Sequence, residues 1–299
     1  MSPDTNQIHP TSPAGGHPGT SSDALRSHYD IGTDFFGLWL DPSLTYSCAL
    51  YEAGDTDDPA GFLAAQTRKL DFHIDQAHAA GAERVLDIGC GWGSMMRRLA
   101  ERGAGHVTGM TMTEAHRTHV TSFGDPRLEV ALTPWAGFEP EAPYDAIVSL
   151  EAFEHFARLD STEAEKKAGY RAFFERAHSW LKPGGRMSIQ TIVYGRATKA
   201  DFSAFCAAEV FPDSDLPRLH EIMEGCDRLF EVERLRCDRE MYVRTFQSWL
   251  DGLRANRAAA EAIVGPAVVD RFEKYCGVFM IGFHTGAMNL ARIGFRKAG

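Results

Sequence analysis

The sequence predicts an α/β protein with a mostly parallel sheet, helices on both faces and a helical cap. Three observations carry that expectation. Short apolar runs alternate with helix-like stretches between residues 84 and 193, the pattern that successive βαβ units write into a chain. The first run leads into a turn with glycine at every second position, Gly89-Cys90-Gly91-Trp92-Gly93. From about residue 197 to 257 the pattern becomes mostly helical, as an insertion over the sheet would be.

Residues 1–22 are rich in Pro, Gly, Ser and Thr and almost free of aliphatic side chains. They bury too little to offset ordering and are expected to form a disordered tail. Residues 23–80 read as an N-terminal helical cap segment. Its first half, HYDIGTDFFGLWLDPSLTYSCALYE, is dense in aromatics and should pack over a cleft. Its second half is a helix over 59–80, with Phe62, Ala65, Leu70, Ile74 and Ala77 on the apolar side. The core is expected over 81–196. It contains a strand over 84–88, a helix over 94–102, a strand over 106–110 and a helix from Glu114. Strands over 128–132 and 145–150 follow, then a helical stretch around Glu154. A helix over 170–180 should stop at Lys182-Pro183-Gly184-Gly185, with a strand over 186–193 beyond it. Residues 197–260 are the expected cap insertion. Residues 261–299 supply a helix over 271–282 and the last one or two strands.

The bulk numbers exclude several function classes. A chain of 299 residues with 44% hydrophobic side chains fills one large domain with insertions. A formal charge of -10 leaves no basic footprint for nucleic acid, and it argues mildly against work on anionic bilayers. No apolar run is long enough to span a membrane, and the first residues lack the basic start and apolar run of a signal peptide. The six cysteines form no CxxC pair and no zinc spacing, so they read as reduced thiols of a cytoplasmic protein with no metal site.

The glycine turn is the strongest local motif. Glycine lets a backbone approach a ligand closely and adopt φ values that other residues avoid. The pattern is Asp87-x-Gly-x-Gly-x-Gly, not the GxGxxG of dinucleotide sites. With it, HYDIGTDFFGLWLDPSLTYSCALYE, VLDIGCGWG, GMTMT, IVSLEAFEHF, EVFPDSDLP and MYVRTFQSWL occur in that order. Together they resemble the cyclopropane-fatty-acid and mycolic-acid cyclopropane synthases over roughly residues 27–290. The resemblance implies a Rossmann-like class I methyltransferase fold that uses S-adenosylmethionine. It places cofactor contacts at Tyr46, Ser47, Asp87, Gly89, Gly91, Thr111, His116, Trp135 and Ala136. His116 stands where related sequences often have Gln, and Ala136 where they usually have a polar or acidic residue.

The same resemblance implies a bound bicarbonate as the base, held by Cys48 through its backbone, Glu154, Ile192, Tyr242 and a histidine. The histidine position holds Gln190. An amide donates and accepts hydrogen bonds but carries no charge, so Glu154 is the alternative base, its proton affinity raised by a desolvated pocket. A polar stretch, FARLDSTEAEKKAG, is longer than the fatty-acid enzymes lead one to expect and should alter one rim of the cleft. Gln190 and that rim point to C-methylation of an alkene or another carbon nucleophile of a small, largely apolar specialised metabolite. The alternatives are a true cyclopropane synthase acting on unsaturated acyl chains, or N- or O-methylation of a small metabolite. The expected partner is a small-molecule substrate, with no nucleic acid and no stable membrane insertion, and a homo-oligomer is compatible with the sequence. Phe35, Phe36 and Trp39 read first as packing residues and second as the lining of a substrate tunnel. Lys166-Lys167 reads as a solvated helix face.

Overall fold

The computed structural model describes residues 31–201 and 214–299. The expected tail, 1–22, lies outside the described residues. At the centre, β1 (Arg84–Ile88) pairs in parallel with β2 (His106–Thr111) on one side and β4 (Tyr144–Leu150) on the other. Outside them lie β3 (Leu128–Leu132) and β5 (Leu181–Tyr194), also parallel. The last two strands reverse direction. β7 (Met288–Lys297) runs antiparallel to β5, and β6 (Phe230–Cys237) antiparallel to β7, giving the order β3-β2-β1-β4-β5-β7-β6. β1 is apolar from Val85 to Ile88 except for Asp87, and those four residues are buried, as a strand covered on both faces requires.

The helices are α1 (Thr33–Phe36), α2 (Pro59–Gln76), α3 (Ser94–Glu101), α4 (Glu114–Thr121), α5 (Glu163–Trp180), α6 (Leu219–Cys226), α7 (Arg239–Ala255), α8 (Arg257–Val264) and α9 (Pro266–His284). α2 begins where Asp58 accepts a hydrogen bond from the Gly61 N–H at 2.8 Å and Pro59 takes the first helical position. α5 starts earlier than the sequence suggests. Thr162 and Glu165 form a reciprocal capping box, so much of the polar stretch read as a cleft rim is the first two turns of this helix. It ends at Trp180, and the Pro-Gly pair falls within the first residues of β5. Residues 197–260, expected to be a helical insertion, include β6. Its side chains from Glu231 to Leu235 are exposed, so neither a buried run nor a clean apolar alternation marks it as a strand.

The structure changes the reading of Lys166 and agrees with the first reading of Phe35, Phe36 and Trp39 as packing residues. Lys166 is buried, not solvated. Its ammonium lies 3.0 Å from Asp215 and 3.2 Å from Glu221 and donates to the Leu216 carbonyl at 2.6 Å. This cluster ties α5 to the chain entering α6. Phe35, Phe36 and Trp39 are buried in a cluster with Phe272 and Trp249, with ring centroids 5.0 to 6.2 Å apart. They form a wall between the N-terminal segment and helices α7 and α9 and line neither cavity described below. Among the described residues, no helix is long and apolar enough to cross a membrane, and no group of acids, histidines or cysteines could hold a metal ion.

Candidate active site

A cleft of about 1100 Å³ opens at the carboxyl ends of β1, β2 and β4, where open α/β sheets bind their ligands. Tyr46, Ser47, Asp87, Gly89, Gly91, Thr111, His116 and Trp135 all line it. Ala136, one residue beyond Trp135, does not; it packs against the core under β4 and α5. The glycines have different tasks. A Cβ on Gly89 would sit 2.5 Å from that of Ala152, so this position must be bare for β1 to meet the segment after β4. A Cβ on Gly91, at φ +51°, would meet no protein atom within 4 Å. Its bareness leaves room for a ligand.

The polar groups of the cleft suit the methionine part and the nucleoside of S-adenosylmethionine. Asp87 is buried, and its Oδ2 has no hydrogen-bond partner among the described residues. Burial pushes its carboxyl up to about 7, with the charge of Lys69 pulling the other way. An ammonium group is the natural partner for such a carboxylate. Lys69, itself buried, donates to Ser47 Oγ at 2.6 Å and fixes that hydroxyl beside Tyr46. Desolvation lowers Lys69 to about 8. At the other end, Thr111 Oγ1 lies 3.0 Å from His116 Nδ1, and burial holds the His116 ring neutral with a pKa of about 3. The cofactor fits this set of residues.

Behind the cleft lies a narrow chamber. Tyr46, Glu151 and His155 line both spaces and form the passage between them. The chamber walls are Tyr242, Trp249, Tyr275 and Ile192, with Glu154 at one side. Tyr242 is clamped by stacked rings, Phe246 at 4.8 Å and Phe283 at 4.4 Å, so its hydroxyl has a fixed aim.

That aim is Glu151, a residue to which the sequence reading gave no role. Its Oε1 accepts from the Cys48 N–H at 2.9 Å and from Gln190 Nε2 at 2.7 Å, and its Oε2 accepts from the Tyr242 hydroxyl. Gln190 cannot turn its amide the other way. Its Oε1 accepts from Arg292 Nε at 2.8 Å and faces His73 Nε2 at 3.1 Å. Arginine only donates, which leaves the amide nitrogen to face Glu151 and the Cys48 carbonyl. Arg292 is fully buried on β7, directly across the sheet from Gln190. Its guanidinium stands behind the amide and is itself ion-paired with Asp238. The Cys48 thiol is pushed up to about 12, chiefly by burial, and stays protonated, so Cys48 acts through its backbone.

Glu154 behaves differently. Its Oε1 accepts from the Ile192 N–H, while Oε2 has no partner among the described residues. Burial, and then the charge of Glu151, raise its carboxyl to about 8. Burial raises Glu151 as well, but the Tyr242 hydroxyl, the Cys48 N–H, the charge of Lys69 and the Gln190 amide pull it back, so within the pair Glu154 is the better holder of a proton and Glu151 the better bearer of the charge. His155 is lowered to about 4 by burial and is neutral. Cys48, Gln190 and Tyr242 thus come together as anticipated, but around a side-chain carboxylate. Bicarbonate does not fit among them, because the donors expected to hold it are already engaged by Glu151.

Fold and cleft together define an S-adenosylmethionine-dependent methyltransferase. The chain belongs to the mycolic acid cyclopropane synthetase family, which it matches over residues 18–293. Cyclopropane mycolic acid synthase 3 of Mycobacterium tuberculosis is 35% identical over 289 residues, 91% of this chain and 93% of that protein. Hydroxymycolate synthase MmaA4 of the same species is 32% identical over 274 residues, 86% of each. The structure of mycolic acid cyclopropane synthase CmaA1 complexed with S-adenosylhomocysteine and CTAB superposes with a TM-score of 0.82 at 30% identity, covering 93% of this chain and 99% of that one.

Proposed function

We propose that this enzyme transfers the methyl group of S-adenosylmethionine to a carbon of the double bond in an unsaturated acyl chain and closes a cyclopropane ring. The observation that carries the reading is the junction at Tyr46, Glu151 and His155, which joins a cofactor cleft to an aromatic chamber holding buried carboxylates. The names of the relatives support an acyl acceptor better than the small specialised metabolite suggested by Gln190 and the polar rim. Both of those features have local explanations, Gln190 in its contacts with Arg292 and Glu151, and the rim in the capped start of α5.

The cofactor supplies an electrophilic methyl on a sulfonium, whose sulfur keeps the bonding electrons when the methyl leaves. Asp87, Ser47 and Gly91 would hold its amino-acid end, and Thr111, His116 and Trp135 its nucleoside. The chamber keeps water from the cationic carbon that forms when the alkene takes the methyl, and the rings of Trp249 and Tyr275 steady that charge. Ring closure then requires a base to take a proton from the newly attached carbon. The test uses a cofactor with a fully deuterated methyl and a vesicle of monounsaturated phosphatidylethanolamine. Mass spectrometry of the acyl chains should show two deuterons retained and the alkene lost. Retention of three would mean methylation without ring closure, and no incorporation would remove the acyl acceptor.

A further inference from the structure

We propose that Glu151 is the catalytic base, its carboxylate filling the three-donor seat expected to hold bicarbonate, so that the reaction proceeds without an added anion. The inference rests on the proposed transfer to an alkene for its chemistry, and on the site geometry for its location.

Three observations carry it. The Cys48 N–H, the Gln190 amide and the Tyr242 hydroxyl converge from three separate elements on one carboxylate. Two of them bind Oε1 and one binds Oε2, so of about four lone-pair sites on an ionised carboxylate one on Oε2 stays available for a proton. Second, Glu151 lies where the cleft meets the chamber and lines both, while Glu154 lines only the chamber. Third, Glu151 has φ +55°, a left-handed conformation natural for glycine. A side chain there costs about 1–2 kcal/mol. A strained backbone held at the end of β4, with three donors trained on its side chain, marks a position kept for what the carboxylate does.

In the ring-closing step the C–H bond of the transferred carbon breaks and its electron pair forms the second ring bond. The proton passes to Glu151 Oε2, which is then a neutral acid partly open to the cleft, where it returns the proton to water. Glu154 holds the proton of the carboxyl pair, which leaves Glu151 as the carboxylate that can accept the proton from substrate. Arg292, His73 and Gln190 do not touch the reacting atoms. They orient the amide that orients Glu151.

The test uses the full chain loaded with S-adenosylhomocysteine. Glu151→Gly suits the backbone and empties the seat. Titration with ¹³C-bicarbonate, followed by NMR, should show no saturable binding to the wild-type protein and millimolar binding to Glu151→Gly. In assays with the deuterated cofactor and monounsaturated phospholipid, wild-type turnover should be the same in carbon-dioxide-depleted and bicarbonate buffers. Glu151→Gly should lose about 100-fold or more and recover at least about tenfold with bicarbonate or formate. Glu151→Gln, whose amide still fills the seat, should lose as much and recover nothing. Thermal melting and S-adenosylhomocysteine affinity, both near wild type, confirm that the variants fold. Wild-type turnover that rises severalfold with bicarbonate would overturn the proposal, as would a folded Glu151→Gly that binds no bicarbonate or keeps full activity without it. If no variant turns over the phospholipid, the acyl acceptor is wrong, and the binding titration still decides the seat.

Discussion

Changing Asp87 to Asn should remove the pH dependence of cofactor binding. Asp87 is buried at the bottom of the cleft with one carboxylate oxygen unpartnered among the described residues, and burial raises it to about 7 in the free protein. A ligand ammonium placed against it would hold it ionised, so protonation competes with binding. Below pH 7 each unit then costs about tenfold in affinity, or about 1.4 kcal/mol. Between pH 7.5 and 5 the association constant for S-adenosylhomocysteine should fall roughly 50- to 100-fold. Other groups leave that window clear. His116 and His155 are lowered to about 3 and 4 and stay neutral, while Lys69 and Glu154 titrate near 8. Isothermal calorimetry at five pH values measures the slope. Asp87→Asn should bind weakly and without a slope, and a flat profile for the wild-type protein would refute the pairing of Asp87 with the ammonium.

Three further perturbations separate binding, proton and packing roles. Gly91→Ala adds a Cβ that meets no protein atom within 4 Å and costs the fold about 1–2 kcal/mol through its positive φ, yet should weaken S-adenosylhomocysteine by about tenfold or more; unchanged binding in a calorimetric titration would move the ligand off this turn. Glu154→Gln should match wild-type stability near pH 5 and exceed it at pH 8–9 by roughly 1–3 kcal/mol. The folded protein keeps the Glu154 proton up to about pH 8, whereas the unfolded chain releases it near the ordinary 4.5, so wild-type stability falls as pH rises through that interval. Urea denaturation curves at the two pH values should diverge accordingly, and parallel shifts would contradict it. Lys166→Met leaves Asp215 and Glu221 buried without their cation and should cost about 3–5 kcal/mol in the same assay, with a loss under 1 kcal/mol showing the cluster to be inert.

The sheet core is largely legible in the sequence because β1 to β5 combine apolar runs with sharp turns, and the glycine pattern after Ile88 has few physical meanings. β6 is not, since this edge strand is rich in charge and its apolar residues Phe230, Val232 and Leu235 fall out of alternation where the register shifts after Val232. The start of α5 is misread because Lys166 and its neighbours look solvated until Asp215 and Glu221 arrive from about fifty residues away. Of the residues expected to meet the cofactor, Asp87, Gly89, Gly91 and Thr111 lie at or just past strand ends, and the structure gathers all of the expected set but Ala136 along one cleft. Glu151 is harder. An acid at the end of an apolar strand reads as a solvated terminus, and its partners come from residues 48, 190 and 242. The one available signal is the spacing Glu151-x-x-Glu154, two acids closing a buried strand, which invites the question of how both are accommodated. Arg292 is equally silent, since only the register of β5 and β7 places it behind Gln190.

The most direct test of the account is a crystal structure of the enzyme with S-adenosylhomocysteine and a long-chain alkyl ligand. The account predicts the sulfur at the opening between Tyr46, Glu151 and His155, the alkyl chain in the chamber beyond, and the Glu151 carboxylate held by Cys48, Gln190 and Tyr242 with no separate anion. A sulfur turned toward solvent, or a carbonate between those donors with Glu151 swung aside, would contradict it.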